Sequence, residues 1–263
     1  MKEPVMQVDF GRTSSDYAKH RAGFPDAFFE RLAREGLLRP GVRAVDLGTG
    51  TGTVARGLAR HGCTVHALDV SAPMLEAARR LATEAGLSID FHQAPAEHTG
   101  LPSGAFDLVV AGQCWHWFDR PAAAREAARL LAPGGRLVIA HFDWMALPGN
   151  VVEATESLIQ AFNPGPSAPD VFSHGTGLYP QWFRDTAEAG FTGLESFTFD
   201  VPTPYTHEAW RGRVRANAKV GASLPPDTVS RFDTALAAVL AERFPHDPLA
   251  IPHRVFALLA ARP

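Results

Sequence analysis

Apolar and polar positions follow two rhythms along the first 140 or so residues. Short apolar runs of strand length lie at Arg43 to Leu47, Thr64 to Leu68, Ile89 to Gln93, Phe106 to Ala111 and Arg136 to His141. Between them come stretches with apolar residues three and four apart, such as Thr53 to His61 and Ala122 to Leu131. Mostly apolar strands that alternate with helices predict a parallel sheet covered on both faces, an α/β fold. A helical segment around Tyr17 to Gly36 precedes the first strand, and Pro133-Gly134-Gly135 reads as a stop and turn before the fifth. Beyond these, Asn150 to Asn163 and Pro180 to Ala189 read as helices. The polar, Pro/Gly-rich connection between them, through Gly177, suits a lid or a surface loop equally. Thr192 to Val201 alternates as a strand, and Thr206 to Lys219 and Pro226 to Phe244 read as helices. His253 to Ala260 suits a last strand or a helix.

The chemistry concentrates where the first strand ends. Val45-Asp46-Leu47-Gly48-Thr49-Gly50-Thr51-Gly52 places an acid at the strand end and three glycines in a strand-to-helix turn. Glycine permits left-handed dihedrals and close approach of a ligand to the backbone. The second strand ends in Asp69, where a carboxylate can accept hydrogen bonds from both hydroxyls of a ribose. Dinucleotide-binding enzymes share this order of strand, glycine turn, helix, strand and acid. Here, however, the glycines run G-x-G-x-G, not the G-x-G-x-x-G that seats a pyrophosphate at a helix N-terminus. Asp46 adds negative charge where phosphates would lie, which favours a cationic ligand.

Bulk properties narrow the classes. A chain of 263 residues is long enough for one large α/β domain with an elaborated cover. Its 25 basic and 28 acidic side chains give a formal charge of -3, with no basic tract suited to a nucleic-acid groove. The only cysteines, Cys63 and Cys114, form no C-x-x-C. No cationic leader or eighteen-residue apolar span is present. These features predict a cytoplasmic protein that neither crosses a membrane nor binds nucleic acid; a monomer or homodimer is expected alongside, without a feature of the sequence deciding it.

The glycine turn, Asp69, the Gln93-Ala94-Pro95-Ala96-Glu97 stretch, the fourth strand from Phe106 and the Leu130 to Ile139 segment occur in a fixed order. In that order the chain resembles the class I S-adenosylmethionine-dependent methyltransferases, specifically the small-molecule branch of ubiquinone-biosynthesis and trans-aconitate-type enzymes. The resemblance spans about Tyr17 to Ile139. It implies a Rossmann-like seven-stranded sheet flanked by helices, with an antiparallel last strand and helical elements over the substrate. It also implies a single domain over 1–263, divided into a cofactor-binding core with an N-terminal cap at 17–141 and a part at 142–263 that completes the sheet and covers the substrate. The implied cofactor is S-adenosylmethionine, the product S-adenosylhomocysteine.

Position by position, the resemblance assigns cofactor contacts to Asp46, Gly48, Thr49, Gly50, Gly52, Asp69, Ser71, Met74, Ala96, Glu97 and Gln113. Asp46 orders the loop and faces the amino-acid end, and Asp69 binds ribose. Ser71 is a helix N-cap, Met74 covers adenine or packs in the core, and Glu97 contacts the cofactor or is a surface charge. Cys114 to Asp119 looks like the H-W-F-D element of related enzymes, and Tyr17 to Pro25 resembles a Y-x-x-x-R-x-x-Y/F-P element that closes over the cofactor.

Acceptor contacts fall to Tyr17, His20, Arg21, Trp115, His116, Tyr179, Trp210, Arg211 and Arg213. Arg211 and Arg215 share a helix side and Arg213 points elsewhere, so the three do not bind one small anion together; one inward arginine, Arg211 or Arg213, is the candidate anion clamp, against an ordinary surface role. His116 is the first candidate for handling a proton, with Tyr17 and His141 beside it. His141 and Asp143 with remote His174 lack metal-ligand spacing, and no metal is expected. In-line methyl transfer needs positioning above all, with a base only where the acceptor carries a proton. A small-molecule acceptor with an oxygen nucleophile is the leading reading. The alternatives are an NAD-dependent oxidoreductase and a non-catalytic partner that binds S-adenosylmethionine.

Overall fold

A computed structural model describes residues 23–164, 172–173 and 175–263; Tyr17, His20, Arg21 and His174 lie outside the described residues. The elements are α1 (Asp26–Arg34), β1 (Arg43–Leu47), α2 (Thr53–Arg60), β2 (Thr64–Asp69), α3 (Ala72–Glu84), β3 (Asp90–Gln93) and β4 (Phe106–Gly112). After them come α4 (Arg120–Leu130), β5 (Leu131–Trp144), α5 (Val151–Phe162), α6 (Pro180–Glu188), β6 (Thr192–Tyr205), α7 (His207–Arg215), α8 (Pro226–Arg243) and β7 (Leu249–Ala261). The seven strands form one sheet in the order β3-β2-β1-β4-β5-β7-β6.

The first five strands pair in parallel, with Asp46 beside Ala67 of β2 and Val110 of β4, and Asp69 beside Gln93 of β3. β7 runs against β5: the Gly134 amide donates to the Arg262 carbonyl, and the Met145 amide to the Pro252 carbonyl, so the residue numbers rise along one strand as they fall along the other. The strand order turns back between β2-β1 and β4, the place where open parallel sheets collect ligands beyond the strand C-termini.

Several boundaries differ from expectation. β5 already pairs at Leu131, opposite Phe106, so Pro133-Gly134-Gly135 lies inside the strand. A register irregularity between Phe106 and Leu108 and a left-handed Gly134 absorb these residues without stopping the ladder. α7 stops at Arg215, short of the expected Lys219. Thr206 caps its start by accepting from the Ala209 amide. β6 and β7 are longer than their alternating cores, and the 253–260 run is a strand.

The described residues group into two compact units, and the chain passes between them more than once, one passage falling between 143 and 144. One comprises 23–143, 253–263 and the described part of 168–201. Its core joins sheet residues Val45, Leu47, Val109, Ile139 and Leu258 to Trp115, Tyr179 and Trp182. The other comprises 202–252 and the described part of 144–167, around Trp210, Phe232, Leu236, Leu240 and Ile251. Among the described residues no helix is long and apolar enough to cross a membrane.

Candidate functional site

The turn from β1 to α2 is built by three glycines with φ of 62°, 55° and 79° at Gly48, Gly50 and Gly52. A Cβ at Gly48 would lie 2.9 Å from Cys114 Cβ and Sγ and 3.0 Å from the Phe118 ring. A Cβ at Gly50 would meet nothing within 4 Å. The first glycine thus lets the turn pack on the loop after β4, and the second bares its backbone to open space.

Two acids hold the turn. Asp46 is 1 % exposed, and its Oδ2 accepts from the Thr49 hydroxyl at 2.6 Å and the Ala55 amide at 3.1 Å. Burial pushes its carboxyl up to about 7, against the hydrogen bonds from Thr49 and Ala55. At neutral pH, therefore, the turn alone leaves Asp46 only partly ionised, and the negative charge expected from sequence is incomplete there. Asp69 accepts from the Gly50 amide through Oδ2 at 2.8 Å and from the Ser71 amide through Oδ1 at 2.9 Å. A carboxylate offers about four lone-pair sites, so acceptor capacity remains for ribose hydroxyls.

The remaining expected cofactor residues have varied surroundings. Ser71 occupies the N-cap position of α3, but its side chain caps nothing; the nearby acceptor is Asp69. Met74 is buried, as is Ala96. Glu97 is engaged within the protein, where its Oε1 accepts from the Asp119 amide at 2.8 Å. Asp119 in turn caps α4 by accepting from the Ala122 amide at 3.1 Å. Gln113 is a non-glycine residue at φ 64°, its amide donating to the Ala140 carbonyl at 2.8 Å and its side chain to the Phe142 carbonyl.

Sequence reasoning missed Val70. It is 65 % exposed directly after Asp69, an apolar side chain left in solvent at a strand end. The available signal was a branched apolar residue between an acid and a serine, outside any helical stripe.

After β4, a 3-10 turn at Trp115–Trp117 sorts the aromatic side chains. Trp115 is fully buried, its Nε1 donating to Asp185 at 3.1 Å, which corrects the expectation that it contacts an acceptor. Trp117 is 47 % exposed, and Phe118 packs partly against the core. The His116 and His141 ring centroids are 5.7 Å apart. His141 is buried and stacks on Tyr179 at 3.8 Å, so the packed core, not an open cleft, surrounds it.

Tyr179 is a second correction. Its hydroxyl donates to Asp143 Oδ2 at 2.7 Å, and burial beside that acid raises its ionisation far above the usual tyrosine range. It neither faces an acceptor openly nor serves as a base near neutrality.

In the second unit, Trp210 is fully buried, its Nε1 donating to the Thr155 hydroxyl at 3.1 Å, so it too is core, not acceptor lining. Arg211 and Arg215 converge on Asp233, with Arg211 Nε 3.1 Å and Arg215 Nη1 2.7 Å from Oδ1. That pairing corrects the anion-clamp reading of Arg211, whose fork a carboxylate of the chain already takes. Arg213 lies over the Trp144 ring at 4.6 Å.

A ligand at the turn therefore meets the exposed backbone at Gly50, the Asp69 carboxylate and the apolar face of Val70. These three suit a ribose with a flat ring beside it, and the residues present fit a bound nucleoside.

Residues 45–139 match the family model described as a methyltransferase domain. An uncharacterized methyltransferase of Mycobacterium tuberculosis is 33% identical over 132 residues, 50% of this chain and 51% of that protein. A ubiquinone biosynthesis O-methyltransferase of Xylella fastidiosa is 26% identical over 182 residues, 68% of this chain and 70% of that protein. The chain spans about half the length of several of the curated relatives it matches. The crystal structure of the YcgJ protein from Bacillus subtilis shares the fold, with a TM-score of 0.58 at 18% identity, over 90% of this chain and 99% of the other.

Proposed function

Since the chain carries a class I S-adenosylmethionine-dependent methyltransferase domain, we propose that it methylates a small-molecule acceptor by direct in-line displacement, with an oxygen nucleophile as the leading acceptor. When bound, the cofactor supplies an electrophilic methyl group on a positively charged sulfur. The observation that carries the proposal is the turn itself: Gly50 opens its backbone outward while Asp69 holds that same residue's amide.

In this reading Asp69 accepts from the ribose hydroxyls, Val70 and Met74 flank the adenine, and Gly48, Thr49, Gly50 and Gly52 shape the seat with Asp46 beneath. Gln113 and His116, at the end of β4, face the methionine portion and the acceptor. His116 takes or orients the proton of an acceptor hydroxyl, and buried His141 positions it through their ring contact. Holding the nucleophile in line behind the methyl carbon accounts for much of the rate without a dedicated base. The O-methyltransferase named among the relatives supports the oxygen acceptor. The charge of -3, without a basic tract, supports a small acceptor over nucleic acid, and the protein works in the cytoplasm as a monomer or homodimer.

Equilibrium titration with S-adenosylmethionine, S-adenosylhomocysteine and NAD tests the donor, and an acceptor screen read as S-adenosylhomocysteine release tests turnover. Tight NAD uptake without sulfonium uptake would reverse the assignment to an oxidoreductase. Donor binding without release across a broad oxygen, nitrogen and carbon acceptor set would make the chain a non-catalytic binding partner.

A further inference from the structure

Two large apolar side chains stand exposed on either side of the glycine turn. Val70 follows the end of β2 at 65 % exposure, and Trp117 follows the end of β4 at 47 %. β1 lies between those strands, so the two strand ends are about 10 Å apart, with the open backbone of Gly50 between them.

The loop that carries Trp117 is fastened to that turn. Cys114 Sγ donates to the Leu47 carbonyl at 3.1 Å, and a Cβ on Gly48 would strike both Cys114 and Phe118. The 3-10 turn then separates the side chains: the Trp115 indole is anchored inward on Asp185, while Trp117, two residues on, keeps nearly half its surface in solvent. His116 stands between them, half-buried, with its ring centroid 4.8 Å from Trp117, 5.7 Å from His141 and 6.3 Å from Phe172. A group able to take a hydroxyl proton is thus walled by aromatic rings. The cation on that wall, Arg120 of α4, is taken: it lies over Phe172 at 5.3 Å and Trp182 at 5.1 Å and donates to Asp185 at 3.3 Å. The wall therefore suits a flat ring with a hydroxyl better than a carboxylate.

We propose that Trp117 sets acceptor specificity, as the face on which a planar aryl hydroxyl stacks with its oxygen toward His116. This rests on the reading of the turn as the donor seat, and it narrows the oxygen acceptor to an aromatic class. An indole face in offset or edge contact favours an aromatic ring over a saturated one of the same carbon skeleton by about 2- to 12-fold in affinity.

Ligand-observed NMR on the full chain saturated with S-adenosylhomocysteine, titrated with 2-naphthol and with decahydro-2-naphthol, reads that difference without turnover. Saturation keeps either probe out of the adenine seat beside Val70. The aromatic probe should bind at least about threefold tighter than its saturated counterpart. Trp117→Leu, which keeps an apolar side chain, should bring the two within about twofold of each other, and Trp117→Phe should restore most of the preference. Neither exchange should move the S-adenosylhomocysteine Kd by more than about twofold. Equal affinities in the wild type, or no binding of either probe to the saturated protein, would overturn the proposal. So would a preference that survives in a Trp117→Leu protein shown folded by circular dichroism. If S-adenosylhomocysteine itself does not bind the wild type, the donor seat fails and this inference falls with it. If it binds and the probes are not distinguished, only the role of Trp117 fails.

Discussion

At the scale of single residues, the three glycines of the turn separate packing from binding. Gly48→Ala would drive a Cβ to 2.9 Å from Cys114 while holding φ at 62°, so thermal denaturation should show a loss of about 1–3 kcal/mol. Gly50→Ala meets open space and should cost only about 1 kcal/mol for its left-handed backbone. Donor affinity should nonetheless fall at least about tenfold, because the methyl occupies the ligand's side of the turn. A Gly50→Ala protein that binds donor as the wild type does would remove this turn from the site. Asp69→Ala should weaken donor binding about tenfold or more by deleting ribose acceptors and freeing the Gly50 amide. Asp46 and the glycines were legible in the sequence because their spacing places them on one strand-to-helix turn, and Asp69 because it ends the next apolar run. Val70 was not, since exposure of an apolar side chain is a property of the folded surface.

At the scale of elements, the start of α4 is fixed by a relay from Glu97 through Asp119 to the Ala122 amide. Removing the cap with Asp119→Ala should cost about 1 kcal/mol in chemical denaturation. Glu97→Gln, which keeps an acceptor for the Asp119 amide, should cost less than Glu97→Ala. Helices with an apolar stripe and strands with apolar runs were readable from periodicity. The extent of β5 was not: Pro133-Gly134-Gly135 is a turn by local chemistry, and only pairing with residues far along the chain keeps it in the ladder. Long-range packing likewise overruled the roles expected for Trp115, Tyr179 and Trp210. Each is an aromatic ring with a polar tip, and the tip found a partner within the fold at Asp185, Asp143 and Thr155. Arg211 was misread for the same reason, since the sequence shows its helix side but not Asp233 on another helix.

At the scale of the whole molecule, two acids pull stability in opposite directions with pH. Asp46 binds its proton more tightly folded than unfolded, so its contribution is full below about pH 4 and is lost as pH rises through about 7. Glu126 is held down to about 2 by Arg129 and Thr99, so its contribution is full above about pH 4.5 and is lost as pH falls toward 2. The ligand-free protein should therefore melt at a lower temperature at pH 7 than at pH 5, and Asp46→Asn should shrink that difference. A melting temperature that rises steadily from pH 5 to pH 7 in the wild type and the variant alike would contradict this balance.

The unusual backbone of Gln113 carries a last consequence. A residue with a side chain costs more at φ 64° than glycine, and two hydrogen bonds to β5, to the carbonyls of Ala140 and Phe142, hold it there. Gln113→Gly would relax that conformation while cutting the side-chain tether to Phe142. The gain from a relaxed backbone and the loss of the tether act against each other, so the melting temperature of Gln113→Gly reads which of the two outweighs the other.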